Sequence, residues 1–487
     1  MSALRVAIVH YHLRPGGVTS VISRAAGALQ QAGHSCALLC GEAPAAALPG
    51  SVPVCLVEGL GYADAAGRPD RLAEAMSGRA RAALGGLPDL WHIHNHALGK
   101  NPALTGATGI LAGQGRRLLL QVHDFAEDGR PLDFQRLANH IEAPTLDALG
   151  SRLYPQGAGI HYAVLSRRDA RFLAAAGLDE GRLHVLPNPV EPPLEASCAP
   201  AEAGAAPLYV YPTRGIRRKN LGEFLLWSAA NRGSARFALT LSPLNPRERP
   251  AYDAWKALAA GLGLPVAFEA GAAPGASFPA LLRGARAAVS TSVAEGFGLA
   301  FLEPFAAGRP VLGRNLPEIT LDFINAGIDL DALYDRLSVP CDWVDAGILR
   351  EKATAALRAM RLAYGLKCGP ADADRALQSM RSGDTIDFGR LDEELQAVIV
   401  RKIGKAPELA RHMKPATLEA RFPANGVIGR NRELVLDRYG PARYAQRLAA
   451  LYRLVLDDTA PATPVFFSES RLVGQFNEPE RLFLLRA

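Results

Sequence analysis

Cysteine is sparse in this chain: six residues among 487, at positions 36, 40, 55, 198, 341 and 368, with no CxxC pair. That spacing offers neither a zinc ribbon nor a disulfide framework, and reduced, partly buried thiols are expected. No run approaches 18 consecutive apolar residues, which argues against a membrane-spanning helix. The opening MSALRVAIVHYH lacks the basic region, long apolar run and cleavage site of a signal peptide, so a cytoplasmic protein is expected. Charge of one sign is barely in excess: a net +6 over 487 residues permits an anionic ligand without pointing to nucleic acid. Disorder is excluded by a hydrophobic fraction of 49%, enough apolar material for two cores.

At roughly 100 to 200 residues per domain, the length predicts two or three domains. Leu4–His10 reads as a buried strand, because Val6, Ala7, Ile8 and Val9 run on without alternation. A helix is expected over Val18–Gln31. Further strands are predicted at Cys36–Cys40, Pro53–Val57, Asp89–His94, Arg117–Val122, Ile160–Leu165 and Leu183–Leu186, mostly separated by helical patterns. This is the rhythm of βα units on a parallel sheet. Glu191–Pro207, rich in Pro and Ala, reads as a linker, with 193–207 as its body. The rhythm then restarts with strands at Leu208–Tyr211, Phe237–Leu241, Val266–Glu269 and Ala287–Ser290, and helices at Lys219–Ala230, Arg247–Gly261 and from Gly298. The expected architecture is α/β: two Rossmann-like domains, 1–192 and 208–438, with parallel sheets facing a central cleft. Residues 329–424 read as a helical insertion, and a closing helix is expected near Tyr439–Leu456. The stretch after it shows no clear period, and no repeat is visible beyond the echo between the domains.

Three segments carry chemistry. Gly16-Gly17 opens the first long helix, where bare backbone and exposed N–H groups suit an anion, although no GxGxxG follows the strand and, taken alone, a structural turn is the commoner reading. In YPTRGIRRKN, Arg214 lies just past a strand and Lys219 at the entrance to a helix, at the carboxyl edge of a parallel sheet where anions bind. Arg217 and Arg218 either share that task or face solvent. The sharpest signal is STSVAEGFGLAFLE, which sets Glu295 and Glu303 eight positions apart around a Gly-Phe-Gly turn. Glu303 sits among Ala300, Phe301, Leu302, Phe305 and Ala306, company in which an unpaired charge costs several kcal/mol. A carboxylate there can accept two hydrogen bonds from a vicinal diol such as a ribose. His123 ends a strand at the carboxyl edge. His92, His94 and His96 alternate as if on one strand face, but no carboxylate or cysteine completes a metal set, and none is assigned. His10 and His12 are expected near the glycine loop.

Glu295-Gly-Phe-Gly-Leu-Ala-Phe-Leu-Glu303 resembles the E-x7-E element of retaining GT-B glycosyltransferases, specifically glycosyltransferase family 4. Arg214 and Lys219, the Gly16-Gly17-Val18 loop, Val185–Val190, Gly308–Val311 and Pro317-Glu318 fall in that family's order. The resemblance covers about residues 4 to 320 plus the closing helix, which in the family completes the first domain. It implies transfer of a hexose from a nucleotide diphosphate sugar to an acceptor hydroxyl with retention of configuration. Catalytic roles pass to His123, Arg214, Lys219 and Glu295, and donor binding to Gly16, Gly17, Phe297, Gly298, Leu299 and Glu303. Arg14, His94, Asn95 and Asp124 are acceptor-side candidates; Lys100, Arg130 and Arg167 are further cations that could meet an acidic or phosphorylated acceptor.

No cofactor or metal is required on this reading; the co-substrate is a UDP-, GDP- or ADP-sugar. The acceptor is a small molecule, a glycan or a lipid-linked sugar. Only Ile348–Leu366, with Arg350, Arg358 and Arg361 on one side, leaves room for peripheral membrane contact, and a solvated helical face is the favoured reading of it. The competing functions are a GT-B-shaped sugar-nucleotide epimerase, a phosphorylase, for which no cofactor-lysine signature is found, and a non-catalytic sugar-nucleotide-binding subunit.

Overall fold

The computed structural model describes residues 3–44, 52–63, 67–191, 206–273, 277–460 and 466–487. Apart from its last two residues, the expected linker 193–207 lies outside the described residues. The chain divides into two units. The first comprises Met1–Pro189, Met360–Lys367 and Pro441–Asn477, and the second Val190–Ala359, Cys368–Gly440 and Glu478–Ala487.

In the first unit the strands are β1 (Arg5–Val9), β2 (Ser35–Cys40), β3 (Val54–Leu56), β4 (Leu90–His94), β5 (Leu118–Val122), β6 (Ile160–Val164) and β7 (Leu183–Val185). They form a parallel sheet in the order β3-β2-β1-β4-β5-β6-β7. The continuous apolar runs have a direct cause: both faces are covered. Ala7 and Val9 of β1 enter one core cluster, while Val6 and Ile8 enter another on the opposite side. The second cluster is closed by helix Gly17–Gln31 and by helix Pro441–Asp457, which brings Tyr444, Leu448, Leu451, Tyr452 and Val455. Asp458, just beyond that helix, accepts from Arg182 Nε at 2.7 Å and from the amide of Gly159 at 2.9 Å, tying the end of the helix to the sheet.

The second unit repeats the plan with β8 (Leu208–Arg214), β9 (Arg236–Leu241), β10 (Val266–Ala267), β11 (Ala287–Ser290), β12 (Val311–Arg314) and β13 (Leu333–Tyr334). Their parallel order is β10-β9-β8-β11-β12-β13. In each sheet the strand order reverses beside the first strand, between β1 and β4 and between β8 and β11. Ligands of open α/β sheets bind at the carboxyl ends of strands at such a reversal.

Residues 329–424 are not purely helical. Helices Ala346–Ala363, Pro370–Met380 and Glu393–Lys405 accompany a small antiparallel sheet of β14 (Ser338–Pro340), β15 (Arg381–Ser382) and β16 (Thr385–Asp387), in the order β14-β16-β15. Strands of two or three residues leave no periodic trace in the sequence. Helix Ala346–Ala363 buries Leu349, Ala353 and Leu357, and its Arg350 pairs with Asp374 at 2.8 Å. The closing helix is interrupted at Gly440-Pro441: helix Asn425–Tyr439 precedes it and Pro441–Asp457 follows. One further helix, Glu469–Phe476, lies in the stretch where no period was visible.

Candidate active site

At the reversal in the second unit, β8 leads through a short 3-10 turn, Arg217–Lys219, into helix Leu221–Ala230, and β11 leads into Thr291–Glu303. These two exits bring Lys219 and Glu295 together. The Lys219 ammonium donates to Glu295 Oε1, which also accepts from Ser292 Oγ at 2.6 Å. Ser292 is within 3.0 Å of the Tyr211 hydroxyl. The Lys219 carbonyl accepts from Tyr211 and from Thr291 Oγ1, at 3.1 and 3.0 Å. The lysine is thus held from its side chain and its backbone by residues of β8 and of the β11 exit.

Burial and charge act in opposite directions here. Burial lowers the Lys219 pKa, and the carboxylates of Glu295 and Glu303 work against that. Burial would raise Glu295, but the charges of Lys219 and Arg218 and the hydrogen bonds from Lys219 and Ser292 outweigh it and hold the carboxyl below its usual range. The pair is an ion pair. Glu303 behaves differently: burial lifts it to about 7, only partly opposed by Lys219. It begins helix Glu303–Ala306, after a 3-10 turn over Leu299–Phe301. Gly298 caps that turn at φ +92°, a left-handed conformation in which a Cβ would also crowd Phe301 and Ile319, so the second glycine of the Gly-Phe-Gly turn is required.

The sequence-derived residues do not all converge. The Arg214 guanidinium reaches the Ser242 carbonyl at 3.5 Å, whereas Arg218 is the arginine whose charge acts on both Lys219 and Glu295. Arg217 is committed to Glu393, with its amide donating to Glu248 at 2.8 Å. The Phe297 ring packs on Phe323 and Tyr439. Sequence reasoning also missed what stands behind Lys219. Asn220 adopts φ +53° and donates from Nδ2 to Glu223 at 2.8 Å. Glu223 then accepts from Arg314, whose guanidinium also grips Asp387 at 2.7 Å. Side-chain exposures of 2% for Arg314, 0% for Glu223 and 3% for Asp387 make this a fully buried charge triad. Its members lie 91 and 73 residues apart from Arg314, so no local spacing reveals them.

At the corresponding reversal in the first unit, charge gives way to imidazole. His94 Nδ1 and His123 Nε2 are 2.8 Å apart, and the ring centroids of His92 and His94 lie 4.3 Å apart. Burial drives these histidines down, His123 to about 4 and His92 to about 3, so both are neutral at physiological pH. The three alternating histidines do not share one face. Asn95 takes φ +55° and ends the alternation, so His96 turns instead to the Leu153 carbonyl at 2.8 Å. Asn95 Oδ1 accepts from the amides of His123 and Asp124, at 2.7 and 3.2 Å, and so shapes the backbone. His94, expected on the acceptor side, is fully buried behind His123. Asp124 pairs with Arg130 at 2.5 Å and Arg14 with Glu42 at 2.7 Å. Helix Gly17–Gln31 has no side-chain cap at Gly16, and a Cβ at Gly17 would meet nothing within 4 Å. Its first N–H groups are therefore not committed to a capping side chain. Among the described residues no group of three His, Cys, Asp or Glu side chains is arranged to hold a metal.

Comparison with known proteins fits this arrangement. Residues 16–189 match the glycosyl transferase 4-like domain. A curated relative, mannosylglucosyl-3-phosphoglycerate synthase of Petrotoga mobilis, is 27% identical over 328 residues, 63% of this chain and 61% of the relative's length. The chain thus spans less than two thirds of that protein. Sucrose-phosphate synthase of Thermosynechococcus elongatus matches in structure with a TM-score of 0.52 and 16% identity, over 92% of this chain and 98% of its own. HepE of Anabaena, solved with UDP-glucose, matches with a TM-score of 0.53 and 12% identity, over 92% and 99%. The two parallel α/β units have the fold of the GT-B glycosyltransferases, and residues 16–189 are similar to the glycosyl transferase 4-like domain.

Proposed function

We propose that the protein transfers a hexose from a nucleotide diphosphate sugar to an acceptor hydroxyl with retention of anomeric configuration. The observation that carries this is the buried Lys219–Glu295 pair beside Glu303 at the strand-order reversal of the second unit. The chemical difficulty is charge separation: as the bond from the anomeric carbon to the phosphate oxygen breaks, the sugar becomes cationic and the diphosphate gains negative charge. Lys219 and Arg218 supply the compensating positive charge in a site that burial has made poorly polarisable. Arg214, whose guanidinium reaches the Ser242 carbonyl, serves the same anion in a secondary role, together with backbone N–H groups over Phe297–Leu299. In the first unit, Gly16-Gly17 is the donor-binding candidate, its helix N–H groups being without a side-chain cap. Glu295, ionised and held by Lys219 and Ser292, accepts hydrogen bonds from hydroxyls of the transferred sugar. Glu303 accepts from the ribose diol. The departing phosphate oxygen takes the acceptor's proton on the face where the new bond forms, so no protein nucleophile is needed. On this reading His123, in the first unit, serves the transferred sugar. These Glu residues are not the paired carboxylates of a glycosidase, which act across the scissile bond.

The donor is a UDP-, GDP- or ADP-sugar and the reaction needs no further cofactor. For the acceptor, an anionic small molecule is favoured over a glycan or a lipid-linked sugar. Tyr62 lies in the first unit with Arg14 and Lys100 each 5.9 Å from its ring centre, and Arg130 acts on its hydroxyl. The Petrotoga relative's name includes a 3-phosphoglycerate group, the same class of ligand. The test is incubation with labelled nucleotide sugars, with and without phosphorylated and neutral acceptors. Transfer that depends on an acceptor and yields a retained linkage supports the proposal. Product formed without acceptor favours the epimerase, and binding without turnover favours the non-catalytic subunit.

A further inference from the structure

Four histidines of the first unit, His10, His92, His94 and His96, are buried with His123 at or near the ends of β1, β4 and β5. A neutral imidazole carries one proton on two nitrogens, so each ring must donate from one and accept at the other. A buried N–H without a partner is among the costlier defects of an interior, about 1 to 3 kcal/mol, whereas a bare acceptor is tolerated more readily. His96 follows this rule. Its Nε2 faces the Leu153 carbonyl at 2.8 Å and must donate, and its Nδ1, without a partner among the described residues, is the bare one. His10 is consistent with this: Nδ1 has no partner among the described residues, and a hydrogen bond with the His94 backbone partly opposes the effect of burial on the ring. His92 has both nitrogens engaged, Nε2 with Gln121 Oε1 and Nδ1 with the Tyr452 hydroxyl, each at 2.9 Å.

His94 is then determined. Its Nε2 is buried with no hydrogen-bond partner among the described residues, while Nδ1 is 2.8 Å from His123 Nε2. Were the shared proton on His123, His94 would have to carry its own proton on the orphaned Nε2. With the proton on His94 Nδ1, the orphan is only a lone pair. We propose that His94 is a positioning residue: it donates from Nδ1 to His123 Nε2 and so fixes His123 as the Nδ1–H tautomer. His123 therefore offers its ligand an N–H donor and not a basic lone pair. The role toward a sugar hydroxyl rests on the transferase reading given above; the tautomer itself does not. Asn95, by accepting the His123 amide, fixes where that donor sits.

The experiment is long-range proton–nitrogen correlation on full-length protein labelled with 15N-histidine and free of ligand, the His123 signals being assigned by their loss in His123→Ala. The expected result is a neutral ring protonated on Nδ1; a ring protonated on Nε2 overturns the assignment. An asparagine at position 94 places an amide donor near the same point, and an aspartate places only acceptors there. His94→Asp should therefore convert His123 to the Nε2–H form and lower kcat/KM about 10- to 100-fold, mostly through kcat. His94→Asn should recover most of that loss and the original tautomer. Equal tautomers and equal turnover in the two variants would overturn the positioning role. If His94→Asp does not fold, His94→Ala is read the same way, with a mixture of tautomers expected and a pure Nδ1–H ring counting against the proposal. Wild-type protein that shows Nδ1–H yet transfers from no nucleotide sugar would sink the transferase reading and the sugar contact with it, and would support the tautomer assignment.

Discussion

The two units present the same topological feature in opposite electrostatic dress. At the β8/β11 reversal Lys219, Arg218 and Glu295 are held in an ionic arrangement beside the Glu303 carboxyl, whereas at the β1/β4 reversal buried rings are held neutral. Sheet topology determines where a site lies, and the residues at the strand ends determine what it can stabilise. An ionic edge suits a diphosphate whose charge grows during reaction. A neutral, hydrogen-bonding edge suits hydroxyl groups. The supports differ in the same sense. Lys219 is backed by the buried Arg314 triad, and His123 by a chain of uncharged donors and acceptors.

The contrast can be broken first at the buried triad, where the expected effect is greatest. Arg314→Met leaves Glu223 and Asp387 buried without their cation and should cost about 3 to 5 kcal/mol of stability, read as a lowered denaturant midpoint. A midpoint equal to wild type would show that the triad is not what fixes helix Leu221–Ala230. Lys219→Ala should lower kcat by about 10²- to 10³-fold with a much smaller change in thermal midpoint. Activity within twofold of wild type would mean that phosphate charge is met elsewhere. In the first unit, Asp458→Asn weakens the tie to Arg182, and the expected loss is about 1 to 3 kcal/mol. Because hydrogen bonds from Arg182 hold the Asp458 carboxyl well below its usual range, its contribution is present at neutral pH and fades as pH falls through that depressed value. An Asn variant whose acid unfolding matches wild type would remove the clamp.

The smallest effect sharpens the comparison at Glu303. Burial disfavours its ionised form and places its pKa at about 7, while a ribose diol donating two hydrogen bonds favours that form. Nucleotide binding should expel a proton, and affinity should rise with pH through about 7 and then level. Calorimetry in buffers of different ionisation enthalpy measures the release. Glu303→Gln should bind nucleotide about tenfold more weakly and lose the pH dependence. A variant that keeps it would place the titrating group elsewhere.

Much of this was legible because parallel strands covered on both faces must be apolar throughout, as Leu118–Leu120 and Ala287–Val289 are. The Glu295–Glu303 turn was legible because a carboxylate amid apolar residues demands a reason. What stayed hidden depends on contacts across long separations or on very short elements. Ser292 and Tyr211, which hold Glu295 and Lys219, look like ordinary strand-end residues in sequence. Arg218 and Arg214 cannot be ranked by spacing alone, since a 3-10 turn redirects every side chain between β8 and its helix. Arg314 gave one hint, a cation soon after the apolar Val311–Leu312, without naming its partners.

One arrangement also constrains how the molecule comes into being. The sheet face formed by Val6, Ile8, Leu38, Leu90 and Leu119 is completed by helix Pro441–Asp457, so the first half of the chain leaves the ribosome with an oily side still bare. Nascent protein must wait for some 250 further residues before that side is sealed. A fragment ending near Pro189 should aggregate during synthesis, and co-expressing it with a segment spanning 441–477 should rescue its solubility.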